Sequence, residues 1–284
     1  MDIHNIQMIK TNQIIIFFLI LSFTCCISEK KKNESLSEAK TISTDLQVDH
    51  FNIWVKNPKT AKKRLTDIGF TSLQDSLSPI HKRQGTAGRY FYFLNSYFEL
   101  IFVYDQTELE QNNTIHKDLD FIVRANFQKN GASPYSIALK MKEYDVDKIP
   151  FQKVKYHQEW MNQDENIYAA KNSKTHLKEP SIFVVPPKMQ SGTFDSTTEL
   201  KKFQTDDPSW KLLFKHPNGA EKITNIVITS TDLDLNSETI KALNLIENIT
   251  VKNGSEHLME LYFDDTIQGK SFDLRPELPL IIHL

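Results

Sequence analysis

Three short stretches hold the residue types that could do chemistry. The run Tyr97–Tyr104 (YFELIFVY) is apolar and aromatic except for Glu99, which stands between Phe98 and Leu100. A carboxylate in such a setting must be paired, protonated, metal-bound or turned to a wet cavity, because burying it without compensation is costly. Upstream, VDHFNIWV carries His50 and Asn52 on one face at period two. An imidazole and a buried carboxylate can form a hydrogen-bonded pair, share a metal ion, or act in acid–base catalysis with Glu99 poised by its burial. Between them, HKRQGTAGR supplies His81, Gln84, Thr86 and Arg89 as donors for a carbonyl-bearing or anionic ligand. Gly85 lets the backbone approach such a ligand. The same polar loop can equally fold over a cavity and satisfy its own backbone. No phosphate-binding loop, GxSxG, HExxH or EF-hand loop is present.

The chain that must position these groups has 284 residues, 39% of them hydrophobic, and a net charge of -2. Lysines alternate with acids and form no basic stripe, which argues against nucleic acid as a partner. Cys25 and Cys26 are the only cysteines, so a disulfide framework, a thiolate metal site and a cysteine nucleophile are excluded from the folded body. Both follow the apolar run Ile14–Leu21, which is short for a membrane span and long enough for a signal-peptide core. Residues 1–27 therefore read as a signal-peptide or lipoprotein-type segment, with membrane contact through an N-terminal lipid or an uncleaved anchor. Lys30, Lys31 and Lys32 outnumber Lys10 before the run, a bias that does not favour export. Residues 28–45 read as a solvated tether. The expected location is a bacterial cell envelope.

The rest of the sequence reads as alternating strands and helices. Val48–Val55 is a strand whose other face, Phe51, Ile53 and Val55, is apolar. Asn57-Pro58 opens a helix with Ala61, Leu65 and Ile68 inward, and Gly69 closes it. A short strand at Phe70–Leu73 and the hairpin Tyr90–Leu94/Tyr97–Tyr104 around Asn95-Ser96 complete one β-α-β-β-β unit. A partly helical stretch at 117–127 follows. Tyr135–Met141, a short acidic segment, Tyr156–Trp160, Ile167–Lys171 and Ser181–Val185 form a degraded second copy. Ile223–Ser230, a helix over Ser237–Ile246 and strands near 248–252, 257–263 and 280–284 suggest a third. The tyrosines and phenylalanines of 90–93 read as core, and His157, His176 and His216 as surface residues.

With Asp49-His50 in the first strand, His81…Gln84-Gly85-Thr86…Arg89 in the loop and Phe98-Glu99-Leu100 in the last strand, the chain resembles the glyoxalase-like branch of the vicinal-oxygen-chelate superfamily. The motifs lie within residues 46–190; residues 191–284 fit by pattern and by His216-Pro217-Asn218-Gly219. The resemblance implies an α+β fold in which paired βαβββ units curl into a cup. It implies one divalent metal (Mn, Fe, Ni or Zn) held by His50 and Glu99, with Asn52 and the 81–89 segment lining the cup. The implied activity is lyase, isomerase or dioxygenase chemistry on a small oxygen-rich substrate. The departure is in the other units: Tyr135 or Ser136 and Phe183 stand where a second His/Glu pair would be, and the third unit offers only Asn225 and Glu277. That gap favours a non-catalytic small-molecule-binding protein of the envelope as the competing reading, with a structural role that has lost the site as a third.

Overall fold

The first strand, β1 (Leu46–Trp54), buries every residue but Gln47. Its alternation sends Phe51 and Ile53 into the main core with Ala61 and Leu65 of α1 (Pro58–Asp67). The Asn57 side chain caps that helix by accepting a hydrogen bond from the Thr60 backbone N–H, and Pro58 occupies its first turn. Gly69 follows with φ +89°, a left-handed stop that favours glycine. In the computed structural model, which describes residues 45–284, the chain then departs from expectation. Phe70–Leu73 is not a strand. Phe70 plugs the core, and the Thr71 and Leu73 N–H groups bond to His216 Nδ1 and the Tyr90 carbonyl instead of to a ladder. The second strand is the two-residue β2 (Ile80–His81). β3 (Thr86–Phe93) starts earlier than the apolar run alone suggests, and the turn to β4 (Ser96–Val103) is Leu94-Asn95.

Three short helices follow, α2 (Gln106–Ile115), α3 (Phe121–Ala125) and α4 (Phe127–Asn130). They place Leu119 and Phe121 over one rim of the sheet. The second unit then runs β5 (Tyr135–Met141), a 3-10 turn at Val146–Lys148 in place of a helix, β6 (Lys153–Tyr156), β7 (Ile167–Ala170) and β8 (Ser181–Val184). The strand expected at Tyr156–Trp160 ends where it was expected to begin.

The eight strands form one sheet in the order β2-β3-β4-β1-β5-β8-β7-β6. In each half the first strand lies parallel to the last, β1 with β4 and β5 with β8, and the halves join through the antiparallel β1–β5 pair. This is the pairing of two βαβββ units about a local two-fold axis, and the sheet curls into a half-barrel cup.

After α5 (Thr197–Lys202), the strands β9 (Ile223–Ser230), β10 (Ile249–Asn253), β11 (Leu258–Phe263), β12 (Ser271–Asp273) and β13 (Leu280–His283), with α6 (Glu238–Asn244) between β9 and β10, build a second sheet. Its order, β10-β9-β11-β13-β12, puts β10 parallel beside β9 directly after the helix. The succession of elements repeats the earlier units but the pairing does not. Both sheets contribute to one continuous apolar core. The N-terminal features read from the sequence, Cys25 and Cys26 included, lie outside the described residues. Among the described residues no helix is long and apolar enough to cross a membrane.

One glycine fixes how the helical rim meets the sheet. Gly85 has φ +76°, and its carbonyl accepts from the Tyr104 and Asp105 N–H groups at 2.9 and 3.1 Å. An added Cβ would lie 2.2 Å from Leu109 N and 2.5 Å from the Asp105 carbonyl oxygen. Gly269 has φ +62° with nothing within 4 Å. Thermal or urea unfolding should find Gly269→Ala destabilised by about 1–2 kcal/mol from the left-handed backbone alone. Gly85→Ala should lose clearly more, about 2–5 kcal/mol, because backbone must also move. Equal losses would show that the contact with α2 does not matter.

Candidate functional site

The concave face of the sheet floors a cavity of about 170 Å³. Its floor consists of cross-strand rows set by the ladder register. One row is polar: Tyr90 on β3 faces Glu99 on β4, Glu99 faces Asn52 on β1, Asn52 faces Ser136 on β5, and Ser136 faces Ser181 on β8. A second row runs Tyr97, His50, Ala138, Phe183. On the other side Ile101 faces Trp54. Leu119, Phe121, Tyr156, Ile167 and Met189 wall the cavity, and Trp160, 51% exposed, stands at its mouth.

Glu99 is 4% exposed, and burial raises its pKa to about 7 against the opposing hydrogen bond from Tyr90. Its Oε1 accepts from the Tyr90 hydroxyl at 3.0 Å, with His81 Nε2 at 3.6 Å. The space for both comes from Gly88, where an added Cβ would stand 2.3 Å from Oε1 and 2.6 Å from the Tyr90 ring.

Tyr90 heads a chain of donors. His81 Nε2 donates to the Tyr90 oxygen (2.9 Å), and Thr86 Oγ1 donates to His81 Nδ1 (2.8 Å). Gln84 donates to Thr86 Oγ1 (2.8 Å), Tyr156 donates to Gln84 Oε1 (2.9 Å), and Gln158 donates to the Tyr156 oxygen (2.8 Å). Gln158 is in turn held by the Asn112 side-chain oxygen of α2 (2.9 Å). With Glu99 ionised, a single direction satisfies every link: each hydroxyl, ring and amide N–H points toward the carboxylate. His81 is neutral in this arrangement. Burial and the nearby His50 push its pKa down to about 4.

The second titratable centre is a pair of sequence neighbours. The β1–β5 register shifts between Val48 and His50, a bulge at Asp49. Adjacent residues of a regular strand point to opposite faces, and the bulge brings Asp49 Oδ1 to 2.7 Å from His50 Nδ1. Asp49 is fully buried. Burial opposes its charge, but the hydrogen bond and charge of His50, the Ser191 N–H (2.8 Å) and Lys140 (3.9 Å) outweigh that and hold its pKa below the usual value. His50 stacks on Tyr97 with ring centroids 4.2 Å apart. Its Nδ1–H being spent on Asp49, Nε2 is the atom left for the cavity.

The structure therefore brings together His50, Asn52, His81, Gln84 and Glu99, all of which line the cavity. The direct His50–Glu99 hydrogen bond considered from sequence is not formed: His50 is held by Asp49 and Glu99 by Tyr90. Thr86 is fully buried behind the wall and serves as a link in the donor chain. Arg89 is not in the cavity. Gly88 and Tyr90 face inward, so alternation sends Arg89 to the far side of β3, against Asp75 (3.1 Å) and over the Phe102 ring. His216, read as a surface residue, is buried: it accepts from the Thr71 N–H and donates to the Tyr92 carbonyl. Asp49, Tyr90 and Tyr156 carry roles that sequence reasoning missed. Pattern alone marks an aromatic strand residue as core, and nothing in the residue types marks the bulge.

The two-fold partners of His50 and Glu99 are Ser136 and Phe183, and the Phe183 ring lies edge-on to His50 at 5.8 Å. Both nitrogens of His81 are engaged. Among the described residues no three His, Cys, Asp or Glu side chains converge to hold a metal. One imidazole and one carboxylate do not make a chelating set of the expected kind. Asn52 is 6% exposed and its Oδ1 has no partner among the described residues, a cost of about 1–3 kcal/mol unless a ligand relieves it.

The raised Glu99 pKa gives a testable sign. A group with a folded-state pKa above its unfolded value stabilises the fold fully below the unfolded value, near 4.5, and loses that contribution as pH rises through about 7. Glu99→Gln should therefore gain thermal stability relative to the parent as pH rises from 5 to 8. Tyr90→Phe removes the one bond that lowers this pKa, so carboxyl titration followed by NMR or infrared should move above 7. A pKa near 4.5 in either the parent or Tyr90→Phe would overturn the burial argument.

The sequence comparison agrees with this architecture. The family described as "Glyoxalase-like domain" matches residues 48–244. No curated protein matches the chain. Among solved structures, a hypothetical protein from Staphylococcus aureus is 13% identical, with 84% of this chain and 98% of that chain covered at a TM-score of 0.44. Methylmalonyl-CoA epimerase from Mycobacterium tuberculosis is 13% identical over 50% of this chain and 89% of its own, at 0.32. The Streptomyces coelicolor methylmalonyl-CoA epimerase in complex with 2-nitronate-propionyl-CoA is 14% identical over 51% and 97%, also at 0.32. The family match runs through both halves of the eight-stranded sheet and over most of the chain, and the protein belongs to the glyoxalase-like domain family of the vicinal-oxygen-chelate superfamily.

Proposed function

We propose that the protein is an enzyme that moves a proton on a small carbonyl compound, a lyase- or isomerase-type activity run by protein side chains. The observation that carries this reading is that two proton-transfer groups of different origin face one small cavity. Glu99 has a pKa of about 7, and His50 is oriented by a buried carboxylate. A carboxyl group matched to neutral pH exchanges protons most effectively there.

Asn52 stands between the two. It faces Glu99 across the ladder and follows His50 by two residues on the same face of β1. Ionised Glu99 removes a proton from the carbon beside the substrate carbonyl. The carbonyl oxygen, which gains negative charge as that C–H bond breaks, is held by the Asn52 amide and takes a proton from the His50 imidazole. Glu99 then gives its proton to the original or the neighbouring carbon while His50 takes one back from the substrate hydroxyl that becomes the carbonyl, which restores both groups and completes the exchange. The apolar walls exclude water and keep the carboxyl protonation equilibrium near neutrality.

The metal-assisted form of this chemistry would use His50 and Glu99 as its ligands and is the alternative that the test separates. The soluble domain is incubated with candidate hydroxy-carbonyl compounds in D2O, and deuterium uptake at the α carbon is followed by NMR, with and without EDTA. Expected are exchange that survives EDTA, a rate rising through an apparent pKa near 7, and losses of about 10²–10⁴-fold in Glu99→Gln and in His50→Ala. Exchange abolished by EDTA and restored by Mn, Fe, Ni or Zn would replace the metal-free route. Exchange unaffected by both substitutions would end the assignment. The envelope location rests on the N-terminal sequence. Radiolabelled fatty acid should follow the protein in its host and vanish when Cys25 and Cys26 are both changed to Ser; retained label would refute lipid attachment.

A further inference from the structure

The cavity is polar along one line and uncharged in its fixed groups on one side only. Asn52, Ser136 and Ser181 occupy consecutive strands of the same row, each less than 8% exposed and each lining the cavity. Strands are spaced about 4.8 Å apart, so these three groups extend about 10 Å from the Glu99 end of the row. The Asn52 oxygen is buried without a partner, and among the described residues no protein group hydrogen-bonds either serine hydroxyl. Buried polar groups are normally satisfied, so the Asn52 end of this row, continued by two serines that line the cavity, is built for a partner the protein itself does not supply.

The flanks and the charges restrict that partner. On one side lie Tyr97 and Phe183, on the other Trp54 and Ile101, so carbon–hydrogen faces are received on both sides of the hydrogen-bonding line. No Lys or Arg is among the residues lining the cavity. The cations near it are spent elsewhere: Arg89 on Asp75, Arg124 on Asp120 and four carbonyls, and Lys140 behind Asp49. A phosphate or carboxylate placed here would meet Glu99 and Asp120 with no Lys or Arg to offset its charge.

We infer that the ligand is an uncharged polyhydroxylated carbonyl compound of monosaccharide size, its carbonyl on the Asn52 amide N–H beside Glu99, one hydroxyl donating to Asn52 Oδ1 and others along Ser136 and Ser181. The position of the carbonyl rests on the proton-transfer reading above; the neutrality and the hydroxyl pattern rest on the register and the missing cation. Ser136 and Ser181 are thereby specificity-determining residues contributed by the second unit.

Binding is read from the fluorescence of Trp54 and Trp160, with dihydroxyacetone, erythrulose and xylulose as neutral probes and dihydroxyacetone phosphate, glycerate and xylulose 5-phosphate as anionic ones. Expected is saturable binding of a neutral probe at least tenfold tighter than that of its anionic counterpart. Ser136→Ala and Ser181→Ala should each weaken it about three- to tenfold, the value of one neutral hydrogen bond. Both substitutions remove only a hydroxyl, and unchanged unfolding curves would show that the fold is kept. Equal or tighter binding of the anionic probes, unchanged affinity in both serine variants, or no binding of any neutral probe would overturn the inference. Deuterium exchange in the same samples separates the two ideas. Neutral binding without exchange keeps the ligand class and removes the proton-transfer assignment, whereas exchange on anionic probes alone does the reverse.

Discussion

The constraint on which the site depends is the burial of the Glu99 carboxylate in the floor of a curled sheet. Removing a carboxylate from water costs several kcal/mol even after relaxation, and here no Lys or Arg offsets it. The fold answers with oriented dipoles. The donor chain ending at Tyr90 lets the charge exist, yet it is too weak to restore an ordinary carboxylate pKa, and the group is left near 7. The same demand dictates what surrounds it. Position 88 must be glycine to leave room, position 90 must carry a hydroxyl, and Thr86, Gly88 and Tyr90 must share a face of β3. A segment that reads as a loop over the cup is thus half strand, because its polar groups are needed inside the wall.

The two-fold arrangement of the sheet contrasts with the one-sided distribution of its chemistry. The first unit supplies both titratable centres, while the second supplies Ser136, Ser181 and Phe183 at the related places. With a second His/Glu pair the related halves would form a four-donor chelate. With hydroxyls and an aromatic ring in that half, a bound molecule meets acid–base groups on one side and neutral hydrogen-bonding groups on the other. Symmetry of backbone here carries a division of labour between side chains.

Much of this was legible in the sequence because it depends on local pattern. The strand β1, the capped helix α1, the strands β5, β8 and β9 and the anomalous Glu99 follow from periodicity, capping residues and a charge in an apolar run. The pairing of two βαβββ units followed from the resemblance carried by His50, Gln84-Gly85-Thr86 and Glu99. What escaped depends on register or on distant contacts. The contact of Asp49 with His50 requires a bulge that residue types do not announce. Phe70–Leu73 has strand-like composition, but its backbone donors are captured by His216 and Tyr90, residues that no local window contains. As part of a loop, Arg89 reads as an anion-binding group; as strand, its direction is fixed by Gly88 and Tyr90. Tyr90 and Tyr156 were indistinguishable from core residues until their hydroxyl partners were placed.

The second unit is degraded as a sequence copy but not idle. Ser191, just beyond β8, gives its N–H and hydroxyl to Asp49, and Lys140 on β5 approaches the same carboxylate. The Ser191 N–H and Lys140 add to His50 in holding the Asp49 pKa below its usual value against burial. The Gln158–Tyr156 end of the donor chain also comes from this unit, on β6 and the segment after it. Both titratable centres of the first unit are therefore tuned from the second. The joint that matters is the antiparallel β1–β5 pair, since it sets the register of the polar row and contains the bulge that turns Asp49 toward His50. A slip of one residue there would point His50 and Asn52 into the apolar core and Phe51 into the cavity. The bulge and the row are consistent with only one register, and that register is the one in which a carboxylate, an amide and an imidazole face the same 170 Å³ space.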